Sequence, residues 1–110
     1  MAIKIIKSEE GISRKISDSY SVLNLLTAND SENVSLAVSS AESHNETTKT
    51  TSDRAYYILE GEITIDDNQV AKKGDVVFVS ANTEYNFKGS FKAVLVNSPA
   101  FKASNESITK

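Results

Sequence analysis

Apolar residues in this chain arrive in short alternating bursts and never at helical spacing. Val34, Leu36 and Val38 alternate strictly, as do Tyr85 and Phe87. A period of two marks a strand with one buried face. Ile3, Ile5 and Ile6 predict an opening strand, and Tyr20, Val22, Leu23, Leu25 and Leu26 a second. The stretch YYILEGEITI, Tyr56 to Ile65, holds two runs of β-formers around Glu60-Gly61 and reads as strand, turn, strand. Asp66-Asp67-Asn68 predicts a hairpin turn. Gly74-Asp75 predicts another, leading into Val76 to Val79. Phe91 and the run Ala93 to Val96 form a last core strand, which Pro99 ends. Residues 39–53 contain no large apolar side chain and read as a loop or a polar-lined strand end. The polar tail, residues 103–110, is expected to fray.

Many short strands separated by turn signals predict an all-β sandwich or barrel. With only 4 glycines and 1 proline, Asn, Asp and Ser must supply the turns. The 110 residues suit a single domain spanning 1–110. Lys plus Arg is 12 and Asp plus Glu is 15, a net charge of -3. The basic residues are scattered, which argues against a nucleic-acid partner, because phosphate binding needs a clustered positive surface. The chain has no cysteine, which excludes disulfides, thiolate metal sites and a cysteine nucleophile. The opening MAIKIIKSEEG lacks the apolar core of a signal peptide, and no segment has the length of a membrane span. The expectation is a cytoplasmic protein with no membrane partner.

The order of pieces (polar stretch, YYILEGEITI, hairpin, KKGDVVFVSANTEYNF, closing strand) resembles the cupin superfamily over about residues 34–97. The resemblance implies a double-stranded β-helix, or jelly-roll barrel. In that family two motifs supply three histidines and one glutamate to a divalent metal. Anchoring the first motif on Gly61 puts Arg54 in the glutamate position. The two histidine positions then fall on Thr48 and Thr50, or on Thr47 and Lys49. Anchoring the second motif on Gly74 puts Tyr85 in the third histidine position. Threonine hydroxyls and a neutral tyrosine are poor metal ligands, and Arg54 brings a positive charge. The resemblance with these replacements implies a barrel without the metal site and without a cofactor. A metal held elsewhere would have to draw on His44, Glu42 and Glu46, a poor set within one polar segment.

If Arg54 points inward, strand alternation turns Tyr56, Ile58 and Glu60 the same way. Thr48, Thr50, Arg54, Tyr56, Tyr85 and Phe87 then line a pocket suited to a small anionic or sugar-like ligand, with Arg54 as a two-point fork. The plainer reading pairs Arg54 with Asp53, Glu60 or Glu62, makes the aromatics ordinary core, and leaves Thr48 and Thr50 in an exposed loop. His44, the only histidine, is either an exposed loop residue or a general base at the barrel rim. By parity it would continue the face of Val34, Leu36 and Val38. Metal-independent sugar epimerases and isomerases of the superfamily use His with Tyr. On that resemblance His44 is the base and Tyr56 or Tyr85 the acid. Three functions follow: a ligand-binding barrel, a sugar isomerase or epimerase, and a structural barrel with a filled interior. The family resemblance and an apolar first strand also imply a homodimer paired near the amino termini.

Overall fold

A computed structural model describes residues 3–102 and, beyond them, the backbone of residues 106–109. One turn of 3-10 helix, Ser8–Glu10, precedes eight strands. They are β1 Ile12–Ser17, β2 Tyr20–Leu26, β3 Ser35–Thr50, β4 Asp53–Ile65, β5 Gln69–Lys72, β6 Val76–Val79, β7 Tyr85–Ser98 and β8 Glu106–Thr109. Every pairing is antiparallel. The order is β1-β2-β3-β7-β4-β5, with β6 added to β4 and β8 to β3. No helix among the described residues is long and apolar enough to cross a membrane.

Three long strands build the barrel. β7 pairs with β3 on one side and β4 on the other. The first half of β3 also pairs with β2, and its last residues pair with β8. The first half of β4 pairs with β6 and its second half with β5. Register breaks fall between Ala41 and His44 in β3, and between Ile58 and Glu60 in β4. Such bulges bend a strand and let it serve two sheets. Side chains from the two ends of the long strands meet inside, where Tyr20, Tyr56, Ile58, Ile63, Phe87, Phe91 and Ala93 form the core.

Several expectations are revised. Residues 3–7 lie outside any strand, and Ile3 and Ile5 are exposed. The Ser8–Glu10 turn, braced by the Lys7 N–H donating to Glu10 Oε2 at 3.0 Å, ends that segment before it can pair. The first strand is instead ISRKIS, whose charged, exposed pattern hides an edge strand hairpinned to β2 through Asp18-Ser19. YYILEGEITI is part of one continuous strand, and Gly61 sits within it at φ +74. Much of the polar segment 39–53 is the second half of β3. The tail is not all frayed, because β8 pairs with Thr47 to Thr50; residues 103–105 and 110 lie outside the described residues.

The inward face of β3 also differs. Ser35, Ala37 and Ser39 are buried, whereas Leu36 and Val38 are half-buried on the other side. The bulge adds one residue opposite Ser90, with Ser43 at φ 48, and reverses the parity beyond it. His44, Glu46, Thr48 and Thr50 therefore continue the face of Ser35 and Ala37.

Candidate functional site

Two polar groups face each other across the barrel interior. The first lies on β3. His44 and Glu46 are two residues apart on a strand and so share its inner face. His44 Nε2 stands 2.8 Å from Glu46 Oε1, and both residues are 3% exposed. The other ring nitrogen, Nδ1, is 2.6 Å from Ser19 Oγ in the β1–β2 turn. The Tyr20 ring stacks on the imidazole at 4.7 Å with only 10° between the planes, and the Phe87 ring lies tilted against the imidazole at 5.5 Å. A buried carboxylate needs a partner, and the imidazole is that partner.

The second group comes from β4 and β7. Arg54, 3% exposed, donates from Nε to Asn97 Oδ1 at 2.8 Å and from Nη1 to the Tyr85 hydroxyl at 3.1 Å. The Tyr85 and Tyr56 hydroxyls are 2.5 Å apart. Burial, with Tyr85 beside it, pushes the Tyr56 hydroxyl well above its ordinary pKa. Burial also raises Tyr20, against the opposing pull of Ser39 and Arg54. Both phenols therefore remain protonated at neutral pH and available as donors.

Between the groups lies a cavity of about 50 Å³, walled by Tyr20, Glu46, Arg54, Phe87 and Asn97, with Arg14 of β1 among the lining residues. Apolar side chains make most of its wall, and Glu46, Arg54 and Asn97 supply the polar groups that an ordered water needs. The Phe101 N–H donates to Ser35 Oγ and holds that ring at the same cavity. A larger open trough of about 570 Å³ lies between β5 and β6 and reaches Tyr85. Its walls mix polar side chains with valines and include none of His44, Glu46 or Arg54; Glu46 and Arg54 line the smaller space.

All six expected ligand-site residues, Thr48, Thr50, Arg54, Tyr56, Tyr85 and Phe87, are buried on the inner face. Arg54 and Phe87 reach the cavity; Thr48, Thr50, Tyr56 and Tyr85 do not line it, but Thr48 and Thr50 do not lie in an exposed loop either. Glu60 and Glu62 are exposed, and Asp53 accepts the Ala81 N–H, so the expected acidic partners of Arg54 give way to Asn97 and Tyr85. His44 is buried, not exposed, and its ring nitrogens meet Ser19 and Glu46 rather than Tyr56 or Tyr85. Glu42 is exposed and does not converge with His44 and Glu46. No group of three or more His, Asp or Glu that could hold a metal occurs among the described residues. Sequence reasoning missed Tyr20 and Asn97, and weighed Glu46 only as a metal ligand. A His-x-Glu pair was visible, but it signifies a shared face only once the segment is known to be a strand.

The antiparallel barrel with its three sheet-crossing strands is a cupin fold. No protein-family model matches the sequence, and no curated protein matches it. Solved structures do. A tyrosine-to-phenylalanine variant of Streptomyces PAC13 with uridine superposes with a TM-score of 0.83 at 21% identity, over 100% of this chain and 93% of that one. Pac13, described as a unique nucleoside dehydratase, gives 0.82 at 19% identity, over 99% and 92%. Ectoine synthase from P. lautus gives 0.79 at 15%, over 98% and 91%. At these identities the likeness is one of fold.

Proposed function

We propose that this barrel is a metal-independent enzyme that eliminates water from a small hydroxylated substrate of the nucleoside or sugar class, whose reacting end enters the central cavity. The observation that carries this reading is the pairing of opposites around one space: the carboxylate Glu46, backed by His44, and the cation Arg54, backed by tyrosine hydroxyls. Elimination beside a carbonyl needs a base for the C–H proton, a donor for the departing hydroxyl, and positive charge where the oxygen becomes negative. Glu46 takes the proton, with His44 sharing it. Arg54 steadies the oxygen. Tyr20, which walls the cavity and holds its phenol proton, protonates the leaving hydroxyl, which departs as water as the C–H and C–O bonds break and the C=C bond forms. The likeness to a nucleoside dehydratase supports the reaction class. Solved variants of that Streptomyces protein replace tyrosines or a histidine, the residue types on which this site turns.

The test is proton NMR in deuterated water with uridine, its oxidised 5′-carbonyl derivatives and simple keto-sugars. The expected result is alkene formation or deuterium uptake next to the carbonyl. Both His44→Gln and Glu46→Gln are expected to lower kcat by about 10²-fold or more, with binding changed only a few-fold. Binding with neither exchange nor turnover would make the protein a ligand-binding barrel instead.

A further inference from the structure

Ser19, His44 and Glu46 form an unbroken line of hydrogen bonds. Ser19 Oγ lies 2.6 Å from Nδ1, and Nε2 lies 2.8 Å from Oε1. The two ends open on different spaces. Glu46 lines the interior cavity. Ser19 lines an outer depression of about 390 Å³, bounded by the β1–β2 hairpin and by Ser40 to Glu42 at the bulge. His44 lines neither space and is 3% exposed, so it joins them without touching bulk water.

A serine, a histidine and a carboxylate in this order are also the parts of a nucleophilic triad. That role requires backbone N–H donors aimed at a developing oxyanion. Those near Ser19 are committed: its own N–H goes to Ser17 Oγ, that of Glu42 to Ser19 O, and that of Ser43 to Ser90 Oγ. Without an oxyanion site, attack by Ser19 has nothing to hold its product.

We infer that Ser19, His44 and Glu46 are a proton relay, with Ser19 the positioning residue through which the buried base exchanges its proton with water at the hairpin. It rests on the elimination chemistry above, because a base that strips a proton from substrate must discharge it before the next turnover. When the imidazole has gained a proton at Nε2, its Nδ1 proton passes to Ser19 Oγ while that hydroxyl's own proton passes to water. The ring is left as its Nε2–H tautomer, and it must turn about Cβ–Cγ to present a bare nitrogen to Glu46 before the next proton can pass. Substrate can thus occupy the cavity mouth while the proton leaves from behind.

His44 is the only histidine, so its ring nitrogens give the sole imidazole signals in histidine-labelled protein. The relay predicts that Ser19→Ala slows exchange of the His44 ring N–H with water by about tenfold or more, and that Ser19→Thr, which keeps the hydroxyl, restores it. If Ser19 merely packed the hairpin, its removal would leave exchange unchanged or speed it by admitting water, and either result overturns the relay. A covalent adduct on Ser19 from a fluorophosphonate probe would overturn it in favour of a nucleophile. In turnover, Ser19→Ala should lower kcat at unchanged KM, with recovery at high concentrations of a small buffer. The two ideas fail separately. Slowed exchange without turnover of any hydroxylated carbonyl compound removes the dehydratase and keeps the relay. Turnover that depends on Glu46, with exchange indifferent to Ser19, does the reverse.

Discussion

Arg54 donates to the Asn97 amide oxygen and to the Tyr85 hydroxyl among its contacts. A guanidinium reaches both at once because its donors point in fixed, divergent directions; an ammonium does not. Arg54→Lys is therefore expected to cost about 2–4 kcal/mol of stability by urea unfolding, because a buried charge loses part of its fixed hydrogen bonding. Tyr85→Phe removes one acceptor and the neighbour of the Tyr56 hydroxyl while keeping the ring; about 1–3 kcal/mol is expected, with a larger fractional loss in kcat than in binding. Arg54 and Tyr85 were legible in the sequence because framework glycines fixed their spacing and alternation fixed their facing. Glu46 was not, since a carboxylate in a run of Thr, Lys and Ser has the signature of a solvated loop. Only His44 two residues away, on a strand, gives it a partner.

At the scale of the element, β3 shows why half a strand was invisible. Its outer face meets solvent and its inner face carries the site, so both are polar and no alternation survives beyond Ser39. The parity reversal at Ser43 had no sequence marker either, because a serine rather than a glycine or asparagine takes the positive φ. The β4–β7 approach is different: Gly61 was marked as a framework position, and the geometry gives the reason. At φ +74, a Cβ there would lie 2.1 Å from the Ser90 carbonyl oxygen, a backbone atom that cannot step aside. Gly61→Ala is expected to destabilise by about 2–4 kcal/mol in chemical denaturation. Alanine at the open Gly74 position meets nothing within 4 Å and should cost distinctly less.

For the molecule as a whole, the barrel and its single core followed from the strand-and-turn rhythm, while the edge strand β1 did not, because an edge needs little apolar content. Two buried phenols set a limit on alkaline stability. Tyr20 and Tyr56 bind their protons more tightly folded than unfolded, so stability is intact below the unfolded tyrosine range, near pH 10, and falls as pH rises above it. Urea midpoints measured from pH 8 to 11.5 should be flat and then decline, by up to about 1.4 kcal/mol per pH unit for each phenol. The homodimer expected from the sequence stays a proposal, with its ground moved from a paired first strand to exposed apolar surface: Ile3, Ile5 and Ile12 near the amino terminus, and Tyr57, Val76 and Phe78 on the β4–β6 face. Light scattering at micromolar concentration should give twice the chain mass; a single-chain mass would refute it. Because β3, β4 and β7 each stitch both halves of the wall, the two halves cannot part like a clamshell without tearing their ladders. Breathing is left to the rims. Amide deuteration should run from β1, β5 and β6 inward, with the middle of β7 last, and traffic through the barrel should follow the same gradient.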